Sequence, residues 1–390
     1  MKQKKRISSI ALITWFLFVM IFLSAWNADR FVSMMQRELP GITPDNAKLH
    51  TNSWDASYTR YFRFMQPLAE VSGAAYLVLD KKSVDNYSYV KDQDGNMQLV
   101  EDNFDRERAE AQILALSDAF ENRGIPFLYV SMPPRFDKAD FMIAQELDFF
   151  GQRDEQMLAM LSASGVDTLD MGQQLKDAGT RYLYPFKTDI HLETEGEFLA
   201  AQMLSDKLSS LSVEIRNQSV IFDKGGYTIS PQSFTGNLVK SSGVSYTLGN
   251  DRFELWFPDF DTDLTIENPE TGVTKSGPFT KSVMNGMESP EALAKSANPY
   301  WILDYLQYPS AYYTIKNNMC GQGPKLLFII DSYAMRTVSF LSLGASEITV
   351  IDPRGVGSAE YLSEAMQSGK YDAVIVAAGG KEFYDNLNVN

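Results

Sequence analysis

The sequence predicts an α/β fold: a parallel sheet with flanking crossover helices, interrupted by a β-hairpin insertion and preceded by an N-terminal transmembrane helix. Three observations predict it. Helix-period and strand-like stretches alternate between residues 104 and 211 and resume after residue 325, the rhythm of parallel strands joined by crossover helices. Residues 326–330 (LLFII) form a continuous apolar run, as a strand buried on both faces requires. Residues 214–299 switch to alternating apolar and polar stretches with turn pairs at Gly225-Gly226 and Thr271-Gly272, the pattern of antiparallel hairpins.

Composition bounds the rest. The 390 residues are 44% hydrophobic and 22% charged, enough for one large core or two smaller ones beyond a membrane segment. Net charge is −15 although Lys2, Lys4, Lys5 and Arg6 crowd the start, so the remainder is more acidic still. That excludes a nucleic-acid partner, which needs a basic surface, and weighs against a strongly polyanionic polymer as substrate. Cys320 is the single cysteine, and His50 and His191 are the only histidines. This excludes an internal disulfide, a cysteine-built zinc site and a His-rich metal centre, so the expected chemistry is metal-free and needs no cofactor.

In chain order, residues 7–26 are uncharged and apolar over about 20 residues, the length a helix needs to cross a bilayer. The basic cluster ahead of them keeps the N-terminus in the cytoplasm and puts everything after residue 26 on the outer face of the cell membrane. A cleaved signal peptide is the competing reading, with a poor small-residue site around Ala25 and Ala28; the long apolar run favours an uncleaved single-pass anchor. The expected organisation is a cytoplasmic tip and anchor (1–27), a juxtamembrane connection (28–72) containing His50, and an α/β domain (73–390) with its β-rich insertion at about 214–299.

Within that domain, 74–79 and 87–90 read as short strands, with Asp94-Gly95 turning into a third at 97–100. Ala109, Ile113, Leu116 and Phe120 give 104–122 a helical face, stopped by Gly124. Strand 125–130, helix 152–164 and strand 166–169 follow, and then helix 194–211 with Phe198, Leu199, Met203, Leu204 and Leu208 on one face. The insertion holds strands at 253–257 and 264–267. Beyond residue 333 a helix starts at Ala334-Met335, then strand 347–351, helix 358–368 and strand 373–377, with Gly379-Gly380 as a simple turn. Asp259, Asp261, Asp263 and Glu270 mimic the ligand spacing of a calcium loop, but Leu264 stands where that loop needs glycine, so the segment reads as a strand with a polar face in water.

The chemistry centres on residues 325–333 (KLLFIIDSY). The buried run stops at Asp331-Ser332, and in open parallel sheets ligands sit outside the carboxyl ends of the strands. Asp and Ser are equally ordinary helix N-caps, so the serine alone decides nothing. A serine nucleophile needs a base, usually an imidazole steered by a carboxylate. His50 falls in the connection, which leaves His191, and Asp189 can hold that ring from the same loop. The structural alternative is that Thr188 or Asp189 caps the following helix and His191 is merely packed.

Four segments carry a resemblance: Thr188-Asp189-Ile190-His191 before an amphipathic helix, Asp331-Ser332-Tyr333-Ala334, the ITVIDPR segment ending at Arg354, and Pro133-Pro134-Arg135 after a strand. Together they resemble the DHHW family and are similar to the alginate O-acetylation proteins of the AlgJ and AlgX kind. The resemblance spans 104 to the C-terminus discontinuously. It implies an SGNH hydrolase-like fold in rearranged order, the Asp/His loop preceding the serine strand. Leu192 replaces the aromatic residue of those proteins and Ile190 replaces His or Thr, departures that touch substrate contacts more than the Asp-x-His spacing.

The resemblance implies an extracytoplasmic O-acetyltransferase or acetylesterase acting on a cell-surface polysaccharide through an acyl group on Ser332, with His191 as base and Asp189 orienting it. It also implies an acyl donor supplied by a membrane-bound O-acyltransferase. Oxyanion or substrate contacts are expected from the N–H groups of Ser332 and Tyr333, from Arg354 and from Gly355, with Tyr384 and Asn386 as further candidates. For Arg354 a salt bridge with Asp352 is the competing role. The alternative class is a non-catalytic glycan-binding or scaffold protein of an envelope polysaccharide assembly complex.

Overall fold

The computed structural model describes residues 14, 17–18, 21–22, 25–27, 65–84, 89–91, 95–100, 105–133, 149–179, 186–239, 242–270, 272–284 and 311–389. Most of the expected anchor and connection, His50, Pro134 and Arg135 lie outside the described residues. Among those described, no helix is long and apolar enough to cross a membrane. The chain divides into two compact units, Met1–Lys81 with Val239–Leu248, and Lys82–Leu238 with Gly249–Asn390.

In the first unit, helix α1 (Met65–Val78) runs through the expected boundary at residue 73 and takes in all but the last residue of the strand expected at 74–79. Its Gly-Ala-Ala-Tyr-Leu-Val end continues a helix already running from Met65, and a short apolar run cannot by itself distinguish the two periods. Glu70 on this helix accepts hydrogen bonds from the N–H groups of Val244 and Ser245, both at 2.9 Å, which fixes the 239–248 segment to it.

The second unit begins with a small antiparallel sheet, β1 (Ser83–Val84), β2 (Tyr89–Lys91) and β3 (Met97–Leu99). Helix α2 (Arg106–Glu121) starts where Asp105 accepts from the Arg108 N–H and ends before Gly124, whose φ of +73° suits a residue without Cβ. Then come β4 (Phe127–Ser131), α3 (Phe149–Ala163), β5 (Asp167–Asp170), α4 (Met171–Asp177) and α5 (Thr194–Ser210). A two-stranded hairpin follows, β6 (Tyr227–Phe234) and β7 (Asp251–Pro258). The chain continues through β8 (Leu264–Asn268), β9 (Val273–Gly277), β10 (Tyr312–Asn317), β11 (Lys325–Ile330), α6 (Met335–Leu341), β12 (Glu347–Ile351), α7 (Ser358–Ser368), β13 (Ala373–Ala378) and α8 (Lys381–Asn386).

Eight strands form the main sheet in the order β5-β4-β13-β11-β12-β10-β8-β9. The first five are parallel and the last three antiparallel, so the sheet is mixed, where the sequence predicts a parallel one. The reason is local: only part of the expected insertion stands apart as β6–β7, while β8 and β9 pair through β10 onto the edge of β12. The sequence reading has no strand at 312–317, although Tyr-Tyr-Thr-Ile suits a pleated, half-buried surface.

β11 lies near the middle, flanked by β13 and β12, and its side chains alternate between two cores. Leu326, Phe328 and Ile330 pack with α5 and α6 residues such as Phe198, Leu204, Val338 and Phe340. Leu327 and Ile329 face the opposite layer, with Ile113, Phe120, Leu161 and Leu362. A strand covered on both faces must be apolar throughout, which is why the run is unbroken. The parallel register sets Ile330 beside Ala377 and Ile329 beside Ile351, so the exits of β11, β12 and β13 share one edge of the sheet.

Candidate functional site

The first polar groups beyond β11 are Asp331 and Ser332. Asp331 is buried, and its carboxylate accepts from the N–H of Tyr333 at 3.0 Å and, through the other oxygen, from Gly379 at 3.1 Å and Gly380 at 2.8 Å. The glycine pair expected as a simple turn is thus the anchor joining the exits of two neighbouring strands. A Cβ on Gly379 would lie 2.9 Å from the Tyr333 ring, so the approach requires glycine. Burial pushes the Asp331 carboxyl up, against the pull of Arg354 and of the three N–H groups. Half-buried Ser332 then opens a single 3-10 turn, Ser332–Ala334, that leads into α6.

The second half of the site is the loop entering α5. Phe186 donates its N–H to the His191 carbonyl at 3.3 Å, closing a tight loop between them. The hairpin grips its middle: the Asp251 carboxylate of β7 accepts from the N–H of Lys187 at 2.6 Å, from the N–H of Thr188 at 2.7 Å, and from the Thr188 hydroxyl. Thr188 accepts in turn from the Gly236 N–H at 2.8 Å, and a Cβ on Gly236 would sit 2.3 Å from the Asp189 Cβ. Asp189 is buried, and three N–H groups surround its carboxylate. His191 Nδ1 donates to Oδ1 at 2.5 Å, the His191 backbone N–H donates to the same oxygen at 3.1 Å, and the Asn237 N–H reaches Oδ2 at 3.1 Å. Burial alone raises this carboxyl, but the charge and hydrogen bond of His191 and the two backbone donors outweigh it and hold it at about 2.

With Nδ1 committed to Asp189, the ring presents Nε2, which is buried and without a hydrogen-bond partner among the described residues. The imidazole lies 5.5 Å, centroid to centroid, from the Tyr333 ring. Ser332 precedes Tyr333 in the same turn, so the structure brings His191 next to the residue following the serine. No hydrogen bond joins Ser332 to His191.

The other expected contacts have different partners. The Tyr333 N–H is taken by Asp331, and Gly355 donates its N–H to the Asp352 carbonyl at 3.1 Å. Arg354 forms a fork on Asp352, with Nε at 2.9 Å from Oδ1 and Nη2 at 2.7 Å from Oδ2, the salt-bridge role. Tyr384 is buried with its hydroxyl 2.7 Å from that of Tyr129, and Asn386 donates to the Glu382 carbonyl at 2.8 Å, so both are spent on structure. The acidic stretch around Asp259 gathers no metal-binding group among the described residues: Asp259 accepts from the Thr228 hydroxyl and Glu270 from the Ala311 N–H.

Sequence reasoning passed over Gly236, Asn237 and Asp251, which reach the loop from a separate hairpin and left no local signal, and it read Thr188 only as a helix cap where its hydroxyl links Asp251 to Gly236. It also passed over Glu193. Burial and the nearby carboxylates of Asp251 and Glu254 raise its carboxyl to about 8 against the pull of Arg336. Two more were visible in principle: Glu197 lies in register with the apolar stripe of its helix, and Arg336 interrupts an apolar stretch.

Residues 93–245 match the family model described as the SGNH hydrolase-like domain of acetyltransferase AlgX. That span holds Asp189 and His191 and ends before Ser332. Among solved structures, Bacillus cereus PatB1 superposes with a TM-score of 0.56 at 16% identity, over 77% of this chain and 97% of that one. The same protein with a sulfonyl adduct gives 0.57 at 16%, over 77% and 95%. A DHHW family protein from Eubacterium siraeum gives 0.53 at 17%, over 77% and 95%. The fold is SGNH hydrolase-like. The similarity to AlgX-type proteins is thus found over residues 93–245, which hold the Asp-x-His segment, and that to a DHHW protein in the fold. No curated protein sequence is significantly similar to the chain.

The buried carboxyl groups of this loop make stability depend on pH with a definite sign. Asp189 has a lowered folded-state pKa, so its contribution is present above 3.8 and lost as pH falls through about 2. A shift of this size corresponds to ~2 kcal/mol. Urea unfolding of the wild type between pH 5 and 2, taken as an approximate window, is expected to show that loss, and Asp189→Asn is expected to flatten it. Equal slopes in both proteins contradict the assignment. Glu193 works in the opposite sense, its contribution complete below 4.5 and lost as pH rises through about 8.

Proposed function

We propose that the protein is a serine O-acetyltransferase or acetylesterase that acts on a cell-surface polysaccharide from the outer face of a membrane. The observation that carries this reading is the Asp189–His191 pair, buried and bonded at 2.5 Å, with the unpartnered Nε2 beside the turn that begins at Ser332. Acetyl transfer in particular is supported by the match to the domain of acetyltransferase AlgX. The polysaccharide acceptor is supported by the resemblance to alginate O-acetylation proteins.

The steps follow from the groups present. Ser332 Oγ attacks the carbonyl carbon of an acetyl donor while Nε2 takes the hydroxyl proton, and Asp189 stabilises the imidazolium that forms. The C–O bond to the donor breaks and the leaving group takes the proton from Nε2, giving acetyl-Ser332. A sugar hydroxyl, or water in an esterase, then gives its proton to Nε2 and attacks the acetyl carbon; the bond from that carbon to Oγ breaks and Nε2 returns the proton to Oγ, restoring free Ser332. The Ser332 backbone N–H, at the start of the 3-10 turn, is the oxyanion donor this reading retains. Serine and imidazole close to hydrogen-bond range when a donor binds, a tightening common to sites that are loose when empty.

Residues 7–26 serve as an uncleaved anchor. Support comes from the uncharged run, the basic residues ahead of it, and the exposed helical side chains Leu17, Phe18, Ile21 and Phe22. An acetyl source must then reach the outer face, and a membrane-bound O-acyltransferase is the partner assigned to deliver it.

The missing Ser332–His191 hydrogen bond favours a second reading, a non-catalytic glycan-binding scaffold. Turnover of an activated acetyl ester decides between them. Ser332→Ala and His191→Ala are each expected to lower it by about 10³-fold or more. Identical labelling of wild type and Ser332→Ala by a serine-directed sulfonyl fluoride, with glycan binding that survives His191→Ala, favours the scaffold. For the anchor, the protein is expected to stay in the membrane pellet after alkaline extraction, and deletion of residues 7–26 to release it. Release of the full-length chain by alkali contradicts the anchor.

A further inference from the structure

Two ionisable side chains sit in the apolar core directly behind the site. Glu197, on the first turn of α5, has no exposed surface, and Arg336, one turn beyond Ser332, is 2% exposed. Arg336 Nη2 donates to Glu197 Oε1 at 3.4 Å and also to the backbone carbonyl of Leu192, the residue that follows His191. The other carboxylate oxygen of Glu197 accepts from the Thr337 N–H at 3.1 Å and from its hydroxyl at 2.5 Å. The guanidinium lies over two aromatic rings, Phe186 at 5.6 Å and Phe253 at 5.2 Å. Phe186 opens the His191 loop, and Phe253 belongs to β7, whose Asp251 grips the middle of that loop. One side chain on the serine helix therefore touches both ends of the histidine loop and the strand that holds its centre.

A buried ion pair is a poor stabiliser, because taking two charges out of water offsets much of their attraction, and apolar replacements of similar volume are often neutral or stabilising. What an apolar pair cannot reproduce is a donor aimed at the Leu192 carbonyl. Arginine also differs from lysine here, since a flat guanidinium stacks on two rings while donating from its edge and an ammonium does not. Burial pushes the Glu197 carboxyl up, and Arg336, Thr337 and His191 pull it back.

We propose that Glu197 and Arg336 are positioning residues for the acyl transfer: they fix the carbonyl of Leu192, and with it the His191 ring, relative to the helix that begins at Ser332. This rests on the proposed Ser332–His191 chemistry and deepens it. Neither side chain touches the reacting atoms, and the effect runs through the geometry of the loop.

The test uses the full chain, an activated acetyl ester, and hydrogen–deuterium exchange of the peptide covering residues 186–193. The double variant Glu197→Leu/Arg336→Met is expected to melt near the wild type, because the charges leave together. It is also expected to lose about a hundredfold in kcat with KM little changed, the size of effect a displaced catalytic group produces, and to exchange faster in that peptide alone. Wild-type kcat and wild-type loop protection in this variant overturn the proposal. Where the double variant fails to fold, Arg336→Lys decides. It keeps the charge, and a fall in kcat of about tenfold or more, with faster loop exchange, supports positioning, whereas wild-type behaviour overturns it. If the wild type itself turns over no ester, the reading of the active site fails, and loop exchange alone still decides whether the pair fixes the loop.

Discussion

The hydrogen bond from His191 to Asp189 is the contact on which the rest of the site depends, because it satisfies a carboxylate that has been taken out of water. An ionised Asp189 in this position is tolerable only with donors on both oxygens, and the loop supplies two through the imidazole and the His191 N–H while the hairpin supplies the third through the Asn237 N–H. The arrangement has two consequences. It keeps the acid charged over the range in which an imidazole works as a base, and it commits Nδ1 so that the ring can present only Nε2 toward the Ser332 turn. Removing the hairpin donor or the Asp251 clamp would loosen both, which explains why glycine is required at position 236, where the hairpin presses against the Asp189 Cβ.

The central sheet provides the other half by an equally physical route. A strand apolar on both faces cannot carry chemistry along its length, so reactive groups appear only where it ends. Asp331 fixes that ending by binding the N–H groups that follow β13, and the Ser332 turn is thereby registered to the sheet. The histidine loop is registered to the same frame through α5 and the hairpin. Two segments well over a hundred residues apart in sequence are thus held independently, each by a buried carboxylate surrounded by backbone donors. Glu197 and Arg336 connect them directly, as does the contact of the His191 and Tyr333 rings.

Much of this architecture was legible in the sequence, and what was missed has identifiable causes. β11, β12, β13, α2 and α5 were readable because burial on one or both faces leaves a periodic record, and the Asp189–His191 contact because so few imidazoles were available. The strand expected at 74–79 is helical because a six-residue apolar run carries too little periodicity to choose. The mixed character of the sheet was hidden because hairpins look alike whether they stand apart or join an edge, as β8 and β9 do through β10. Asn237, Asp251 and the Gly379-Gly380 pair escaped because backbone donors and clamps brought from elsewhere in the chain leave no pattern near the residues they serve. The same reasoning explains why Gly355 and Tyr333 read as oxyanion donors although their N–H groups are already spent.

The account stands on Ser332 and His191 acting on one acyl group. The most direct measurement is an intact mass, with peptide mapping, of the protein quenched in acid shortly after mixing with an activated acetyl ester. The account predicts one added acetyl group on the peptide that contains Ser332, absent from Ser332→Ala and slowed strongly in His191→Ala. An adduct that appears on another residue, or forms on Ser332 at the same rate without His191, contradicts it.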